Sequence, residues 1–273
     1  MEQQSSNSQY SNNYYVGVDS GASTTNVVII NGDGKIVGMA TAVTGAKIDS
    51  SAMAALAAAM KQCKIGRPQI NYIIATGYGR NALRWPDQDI NEIVCQAKGA
   101  YEQFPEARTV IDMGGQDSAI IQMDEQGNVY DFLMNDQCAS GSGRFLEMMS
   151  KTLGLKIEDF TKAGLQWDED VTISSTCAVF AENEVVNLIA QQKRVADIIH
   201  GLNGAIVNRI VNMIARQGAD GKYIMTGGVA KNDGILNELA ARLNDNVLRP
   251  KFPEMNGAYG AALLAKETKQ RSS

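Results

Sequence analysis

Histidine is nearly absent from this 273-residue chain: His200 is the only one, and it sits inside a long amphipathic stretch as a packing or surface residue, not as a ligand. No run approaches the ~20 consecutive apolar residues that a spanning helix needs. The first residues, "MEQQSSNSQYSNNYY", have no positive segment followed by an apolar one. A membrane partner is thereby excluded and a cytoplasmic location expected, with residues 1–13 read as a disordered polar tail. Basic clusters are missing too. Lys and Arg total 25 against 30 Asp and Glu, for a net charge of -5, and they are spread along the chain, so no basic face offers itself to nucleic acid. The G-x-x-x-x-G-K-[ST] pattern of P-loop ATPases does not occur. Cysteines number only four, Cys63, Cys95, Cys138 and Cys177. In a reducing compartment each is a small core hydrophobe, a nucleophile or a metal ligand. What the chain does have is 44% hydrophobic residues, enough for one large domain or two of ordinary size.

The stretch "YYVGVDSGASTTNVVIINGDGKIVGMA" reads as a strand, a Gly/Ser/Thr loop, a second strand, a turn at residues 32–34 and a third strand. "RTVIDMGGQDSAIIQMDEQGNVYDFLM" repeats the arrangement: Asp112, Gly114 and Gly127 follow Asp19, Gly21 and Gly34 at one constant offset of 93 residues. Two copies of one supersecondary unit imply two similar α/β lobes. Helical stretches lie between and after them. "SSAMAALAAAMKQC" has high helix propensity, and the segment from Val195 carries apolar residues at helical spacing up to a C-capping Gly218. "KYIMTGGVAKNDGILNELAARL" is a strand, a double-glycine turn and a helix.

An Asp at a strand end followed by "SGASTT" offers backbone N–H groups and hydroxyls to a polyphosphate, with the carboxylate placed to hold a magnesium-bound water. "DMGGQD" supplies the same parts from the second unit, and "TGGVAKN" adds a third glycine turn. Any one of these loops taken singly is more simply a hairpin; the pair in register points to two lobes facing each other across Mg-nucleotide. The turn "TGYGR" at residues 76–80 either does no more than reverse the chain or has chemistry of its own. Glu182 and Glu184 are either a solvated helix face or contacts to nucleotide or a partner.

The cysteines at 138 and 177 share a setting. "NDQCASGSGRF" and "SSTCAVFAENEVV" each place a thiol where the chain turns into a helix. Cys63, in the Ala-rich segment, and Cys95, in "NEIVCQAKGA", read as buried free thiols. Asp19 to Thr25, "DMGGQD", "TGGVAKN" and "NGAYGAALLA" resemble the phosphate and adenosine motifs of the actin-like ATPase superfamily. Within it, "TGYGR", "DMGGQDS", "NDQCASGSGRFLE" and "STCAVFAENEV" are similar to the activator, or initiator, proteins of 2-hydroxyacyl-CoA dehydratases, of the BadF/BadG/BcrA/BcrD ATPase type, over residues 14–265.

That resemblance implies an α/β fold of two ribonuclease-H-like lobes with nucleotide between them: residues 14–106 with 254–270 as lobe I, residues 107–253 as lobe II. It implies a homodimer in which Cys138 and Cys177 of each protomer hold one 4Fe-4S cluster, with a dehydratase as partner and ferredoxin or flavodoxin as reductant. Four thiolates then come from two chains. The helix starts favour thiolates, and Gly141 and Gly143 let backbone approach sulfur. In this reading Asp19 and Asp112 organise magnesium and water, and Gln116 orients the attacking water. Ser20, Gly21, Ser23, Thr24, Thr25, Gly114, Gly115, Gly227, Gly228, Lys231 and Asn232 hold ATP. One departure stands out. Family members often carry a lysine after the phosphate-loop threonines, where this chain has Asn26, so phosphate binding is expected to rest on magnesium, backbone amides and Lys231. The rival readings are a small-molecule kinase of the same superfold, such as a sugar or acetate kinase, and a nucleotide-dependent scaffold.

Overall fold

The computed structural model describes residues 13–135, 141–174 and 177–272. Residues 1–12 of the polar tail and Cys138 therefore lie outside the described residues. Strands β1 (Tyr14–Ser20), β2 (Thr24–Ile30), β3 (Ile36–Val43), β4 (Ile70–Thr76) and β5 (Gln88–Asp89) form one sheet in the order β3-β2-β1-β4-β5. Strands β6 (Thr109–Met113), β7 (Ser118–Met123), β8 (Val129–Asn135), β9 (Tyr223–Thr226) and β10 (Val247–Leu248) form the other, in the order β10-β9-β6-β7-β8. Read from its β8 edge, the second sheet repeats the first: an antiparallel meander followed by two parallel strands. The turn glycines repeat as well, Gly34 at φ 84° and Gly127 at φ 79°, a conformation that a Cβ disfavours.

Each sheet is covered on both faces, which is why its central strands are apolar without alternation. In β2, Val27 and Ile29 pack with Ala52, Ala55, Leu56 and Ala59 of α1 (Ile48–Cys63), whereas Val28 and Ile30 pack with Ala258, Ala261 and Ala262 of α8 (Asn256–Arg271). In the second sheet, Ile111 and Ile120 face the large cluster built on α6 (Val195–Gln217), and Val110, Ala119 and Ile121 face Ile93, Ala97 and Ala100 of α2 (Glu92–Gln103). The remaining helices, α3 (Gly143–Thr152), α4 (Ile157–Ala163), α5 (Ala178–Ala190) and α7 (Asp233–Leu243), belong to the second half.

Helices α2 and α8 cross between the halves. Sequence order groups α2 with the first sheet, but its apolar face lies on the second, and α8 returns from the second half to cover the first. They approach closely because Gly99 and Gly260 carry no side chain: a Cβ at either would run into the backbone of Asn256 or Cys95. Behind the contact, fully buried Asn256 donates to the Gln96 carbonyl (2.8 Å) and accepts from Gln103 Nε2 (3.1 Å). Among the described residues no helix is long and apolar enough to cross a membrane.

Candidate functional site

The two repeated loops face each other across a cleft of about 670 Å³. Each is a tight turn closed by one backbone bond, Gly21 N–H to Thr24 O and Gly114 N–H to Asp117 O, both 3.0 Å. Asp19 and Asp112 stand at the equivalent strand ends, β1 and β6, and both line the cleft. Their parallel neighbours are also equivalent: Asp19 pairs with Thr76 and Asp112 with Thr226. Each threonine precedes a glycine of positive φ, Gly77 (83°) and Gly227 (81°). The environments then differ. Thr226 Oγ1 donates to Asp112 Oδ1 at 2.8 Å, whereas the buried Thr76 hydroxyl has only the weak Cys95 thiol against it. Asp19 lies between Gly77 and Gly257, and a Cβ on Gly257 would come within 2.5 Å of its Oδ2.

Carboxylates dominate this cleft. Asp19, Asp112, Asp117, Glu92, Glu147, Glu158 and Glu254 line it, against Lys162 and Lys231 as the only lining cations among the described residues. Burial pushes Asp19 up to about 8, with Asp112, Glu92 and Asp117 adding to it. Asp112 rises to about 7 for the same first reason, opposed by the Thr226 hydrogen bond. Burial also raises Glu92, reinforced by Asp117 and offset by Arg80. Such a site is short of positive charge until a cation enters.

A pH dependence follows. Asp19 and Asp112 hold protons in the folded chain that an unfolded carboxyl, titrating near ~4, has already released. Their contribution to stability is complete below that value and is lost as pH rises through about 7 and about 8. The thermal midpoint of nucleotide-free, metal-free protein is expected to fall between roughly pH 5 and pH 8.5, and to fall less in Asp19→Asn. A midpoint that rises over that range contradicts the assignment.

Most residues expected to touch nucleotide line the cleft: Gly21, Ser23, Thr24, Gly114, Gly115, Gly227, Gly228, Lys231 and Asn232. Ser20 and Thr25 do not. Both are fully buried beneath the first loop, where Thr25 Oγ1 lies 2.8 Å from Thr44 Oγ1. Gln116 is exposed at the tip of the second loop, outside the lining. Asn232 caps α7, accepting from Gly234 N–H (3.0 Å) and Ile235 N–H (3.3 Å). Asn26 is 6% exposed and donates to the Glu254 carbonyl (3.1 Å), while the Glu254 carboxylate holds Lys231. Asn26 therefore braces the backbone of an acidic residue whose carboxylate takes up Lys231 of the cleft.

The second loop is tied to α3 and, through it, to α5. Gly114 O and Gly115 O accept from Gly143 N–H (2.9 Å) and Arg144 N–H (2.8 Å) at the start of α3. Gly143 makes this approach easy: a Cβ there would sit tightly, 3.2 Å from Gly114 O and 3.3 Å from Gly115 Cα. Thr152 Oγ1, at the other end of α3, donates to Glu182 Oε1 on α5 (2.9 Å). Glu184 accepts from Ser174 N–H (2.9 Å) and Oγ (3.0 Å), holding the segment that leads to Cys177. Both glutamates thus serve as struts inside the second half. Cys177 is exposed at the N-cap position of α5, in extended backbone with no side-chain cap. Cys63 instead bonds to its own helix at Ala59 O (3.2 Å), and Cys95 is fully buried with its thiol pushed up to about 12.

Glu92, Gln96 and Asp117 also line the cleft, and sequence reasoning assigned them no role. Asp117 ends the quoted "DMGGQD" motif; Glu92 and Gln96 are polar residues four apart on an otherwise apolar helix face, a signal that spacing alone could have raised.

The sequence profile of the BadF/BadG/BcrA/BcrD ATPase family matches residues 16–265. The chain is 38% identical over 258 residues to the activator of lactoyl-CoA dehydratase of Anaerotignum propionicum, covering 94% of this chain and 99% of that one. It is 35% identical over 253 residues to the (R)-2-hydroxyglutaryl-CoA dehydratase activating ATPase of Acidaminococcus fermentans, covering 92% and 96%. A solved structure of the activator of the 2-hydroxyisocaproyl-CoA dehydratase from Clostridium difficile with bound ADPNP superposes with a TM-score of 0.91 at 34% identity, covering 95% of this chain and 96% of that one. The fold is accordingly that of the actin-like ATPases.

Proposed function

Because the chain belongs to the BadF/BadG/BcrA/BcrD ATPase family, we propose that it is a cytoplasmic ATP-dependent one-electron donor that activates a 2-hydroxyacyl-CoA dehydratase. The observation that carries this reading is the backbone link from the second phosphate loop to α3, which begins five residues after Cys138, and through Thr152 and Glu182 to the helix headed by Cys177. A small-molecule kinase has no use for thiols at those two places.

Cys138 and Cys177 from two protomers would hold one 4Fe-4S cluster. Cys177 suits it: the thiol is exposed, and the N–H groups of the first turn of α5, which have no side-chain cap, favour an anionic group. Cys63 and Cys95 do not suit it, being engaged or buried in the first half. When bound, the cluster supplies storage for the single electron taken from ferredoxin or flavodoxin and passed to the dehydratase. Asp19 and Asp112 would hold magnesium, which neutralises charge on the phosphates. Ser23, Thr24, Gly115 and the turns closed by the Gly21 and Gly114 amides would surround the phosphates, with Gly227, Gly228 and Asn232 beyond.

Closing of the cleft on nucleotide pulls the second loop, and Gly114 and Gly115 carry the displacement to the start of α3. Nucleotide can shift this equilibrium only by its preference for the closed state. In anaerobic protein the rate of iron removal by a chelator should therefore differ between nucleotide-free protein, ADP, and ADP with aluminium fluoride, and dehydratase binding should tighten with the last. Identical rates and affinities in all three states would sink the gating. Glu182→Ala cuts the strut between α3 and α5, and should reduce the nucleotide effect on chelation while leaving ATP turnover within about threefold, since Glu182 does not line the cleft.

A further inference from the structure

Asp19 is seated from two sides. The turn "TGYGR" follows β4 and brings Gly77, at φ 83°, against one carboxylate oxygen, where a Cβ would lie 2.4 Å from Oδ1. Gly257, in the first turn of α8, backs the other. The space that Gly257 leaves by having no side chain is bordered by two polar atoms: a Cβ there would lie 2.5 Å from Asp19 Oδ2 and 3.1 Å from Gln96 Nε2. Gln96, on α2, is only 6% exposed and lines the cleft.

Which end of the Gln96 amide faces Asp19 is set by a chain of bonds anchored on the backbone, where a carbonyl oxygen can only accept. Gln103 Nε2 donates to Gly99 O (2.9 Å), so the Asn256 atom that it meets at 3.1 Å is the acceptor Oδ1. Asn256 Nδ2 donates to the backbone carbonyl of Gln96 (2.8 Å), which fixes the same orientation independently. The second Nδ2 hydrogen goes to the Gln96 side chain at 2.6 Å, and the atom that takes it is Oε1. Nε2 is left beside Asp19 with no partner among the described residues.

The cleft has few other donors to spare. Lys231 is held by the Glu254 carboxylate, and the amide nitrogens of Asn26 and Asn232 donate to Glu254 O and Asn203 Oδ1. A nearly buried N–H pair without an acceptor is costly, and beside the aspartate that would hold magnesium the acceptor to expect is an anionic oxygen. We propose that Gln96 donates from Nε2 to an oxygen of the terminal phosphate of ATP and so distinguishes ATP from ADP, with Asn256 as the positioning residue that keeps this donor turned to the cleft. The proposal rests on the nucleotide reading of the cleft and deepens it. Magnesium bridges the β- and γ-oxygens, so a donor that shares a border with Asp19 meets the γ-phosphate, which ADP lacks. Because Gln96 belongs to α2 and Asn256 to α8, the terminal phosphate is bonded directly to the crossing of the two helices.

The test measures Mg-ADPNP and Mg-ADP affinity on the full-length protein purified without oxygen. Gln96→Ala should weaken Mg-ADPNP by roughly tenfold or more and leave Mg-ADP within about threefold. Gln96→Glu keeps the shape and an acceptor for Asn256 but turns a carboxylate oxygen toward the phosphate, and should weaken Mg-ADPNP by roughly 100-fold. Asn256→Ala frees the Gln96 amide to turn, and should weaken Mg-ADPNP about fivefold while adding nothing in the Gln96→Ala background. Retained Mg-ADP affinity reports an intact fold in each variant, and the two Gln96 variants decide the assignment of Gln96 even if Asn256→Ala does not fold. Equal weakening of ADPNP and ADP by Gln96→Ala, or no weakening of either, makes Gln96 a packing residue and overturns the proposal. Additive effects of the Gln96 and Asn256 substitutions overturn the positioning role. Failure of the parent protein to bind either Mg-nucleotide would instead overturn the reading of the cleft.

Discussion

Cys177→Ser protein purified without oxygen should come off the column colourless and free of iron, and so should Cys138→Ser. Cys63→Ser and Cys95→Ser should keep the brown colour. The expectation follows from what surrounds each thiol. Cys177 is exposed at a helix start whose N–H groups have no side-chain cap, which leaves room for iron and for an anionic group. Cys95 is fully buried and pushed up to about 12, first by desolvation, and so stays a thiol. Cys63 donates to Ala59 O within its own helix. Serine supplies a hydroxyl in place of a thiolate, and a shared cluster that needs about four sulfur ligands loses two of them in the dimer at once. Iron retained by both Cys138→Ser and Cys177→Ser, or lost from Cys95→Ser, would overturn the ligand assignment.

Asp19→Asn and Asp112→Asn should each lower ATP turnover by roughly 100-fold or more and leave iron content unchanged. The two carboxylates occupy equivalent strand ends facing one cleft, where Asp112 raises the cost of charging Asp19, and Asp117 and Glu92 raise the cost of charging both. Binding of a metal relieves that repulsion, so an amide at either place removes a ligand and a charge together. The variants separate the two chemistries because the aspartates and Cys177 line different cavities: Asp19, seated by Gly77 and Gly257, and Asp112, held by Thr226, line the cleft, and Cys177 does not. Steady-state hydrolysis with iron analysis on the same samples checks both halves. Near-parent turnover in both variants would contradict the two-lobe phosphate site.

The repeat was legible in the sequence because its signature is local. An acid at a strand end, a glycine two residues on and a turn glycine fifteen on recur at a constant offset, and the structure returns them as matching strands with Gly34 and Gly127 at matching φ. The return of α8 to the first half followed from the family resemblance, which assigned residues 254–270 to lobe I, but the placement of α2 was not legible, since nothing in "EIVCQAKGAYEQ" says which sheet its apolar face will cover; that is decided by the close approach at Gly99 and Gly260. Which hydroxyls reach the cleft was not legible for a related reason. In "SGASTT" alternate residues of a strand point to opposite faces, so Thr24 lines the cleft and Thr25 lies beneath it. The spacing of Glu92 and Gln96 could have raised both as cleft residues, whereas the pairing of Glu92 with Arg80, twelve residues away in a turn, shows only in three dimensions.

The most direct test of ATP-driven electron donation is a single-turnover experiment. Reduced, anaerobic protein is mixed with an oxidised 2-hydroxyacyl-CoA dehydratase, and the paramagnetic signal of the reduced cluster is followed with Mg-ATP, with Mg-ADP and without nucleotide. The account predicts rapid loss of that signal with Mg-ATP, matched by one electron gained by the dehydratase, and little change in the other two. Equal rates in all three, or protein that carries no such signal while it hydrolyses ATP, would contradict it.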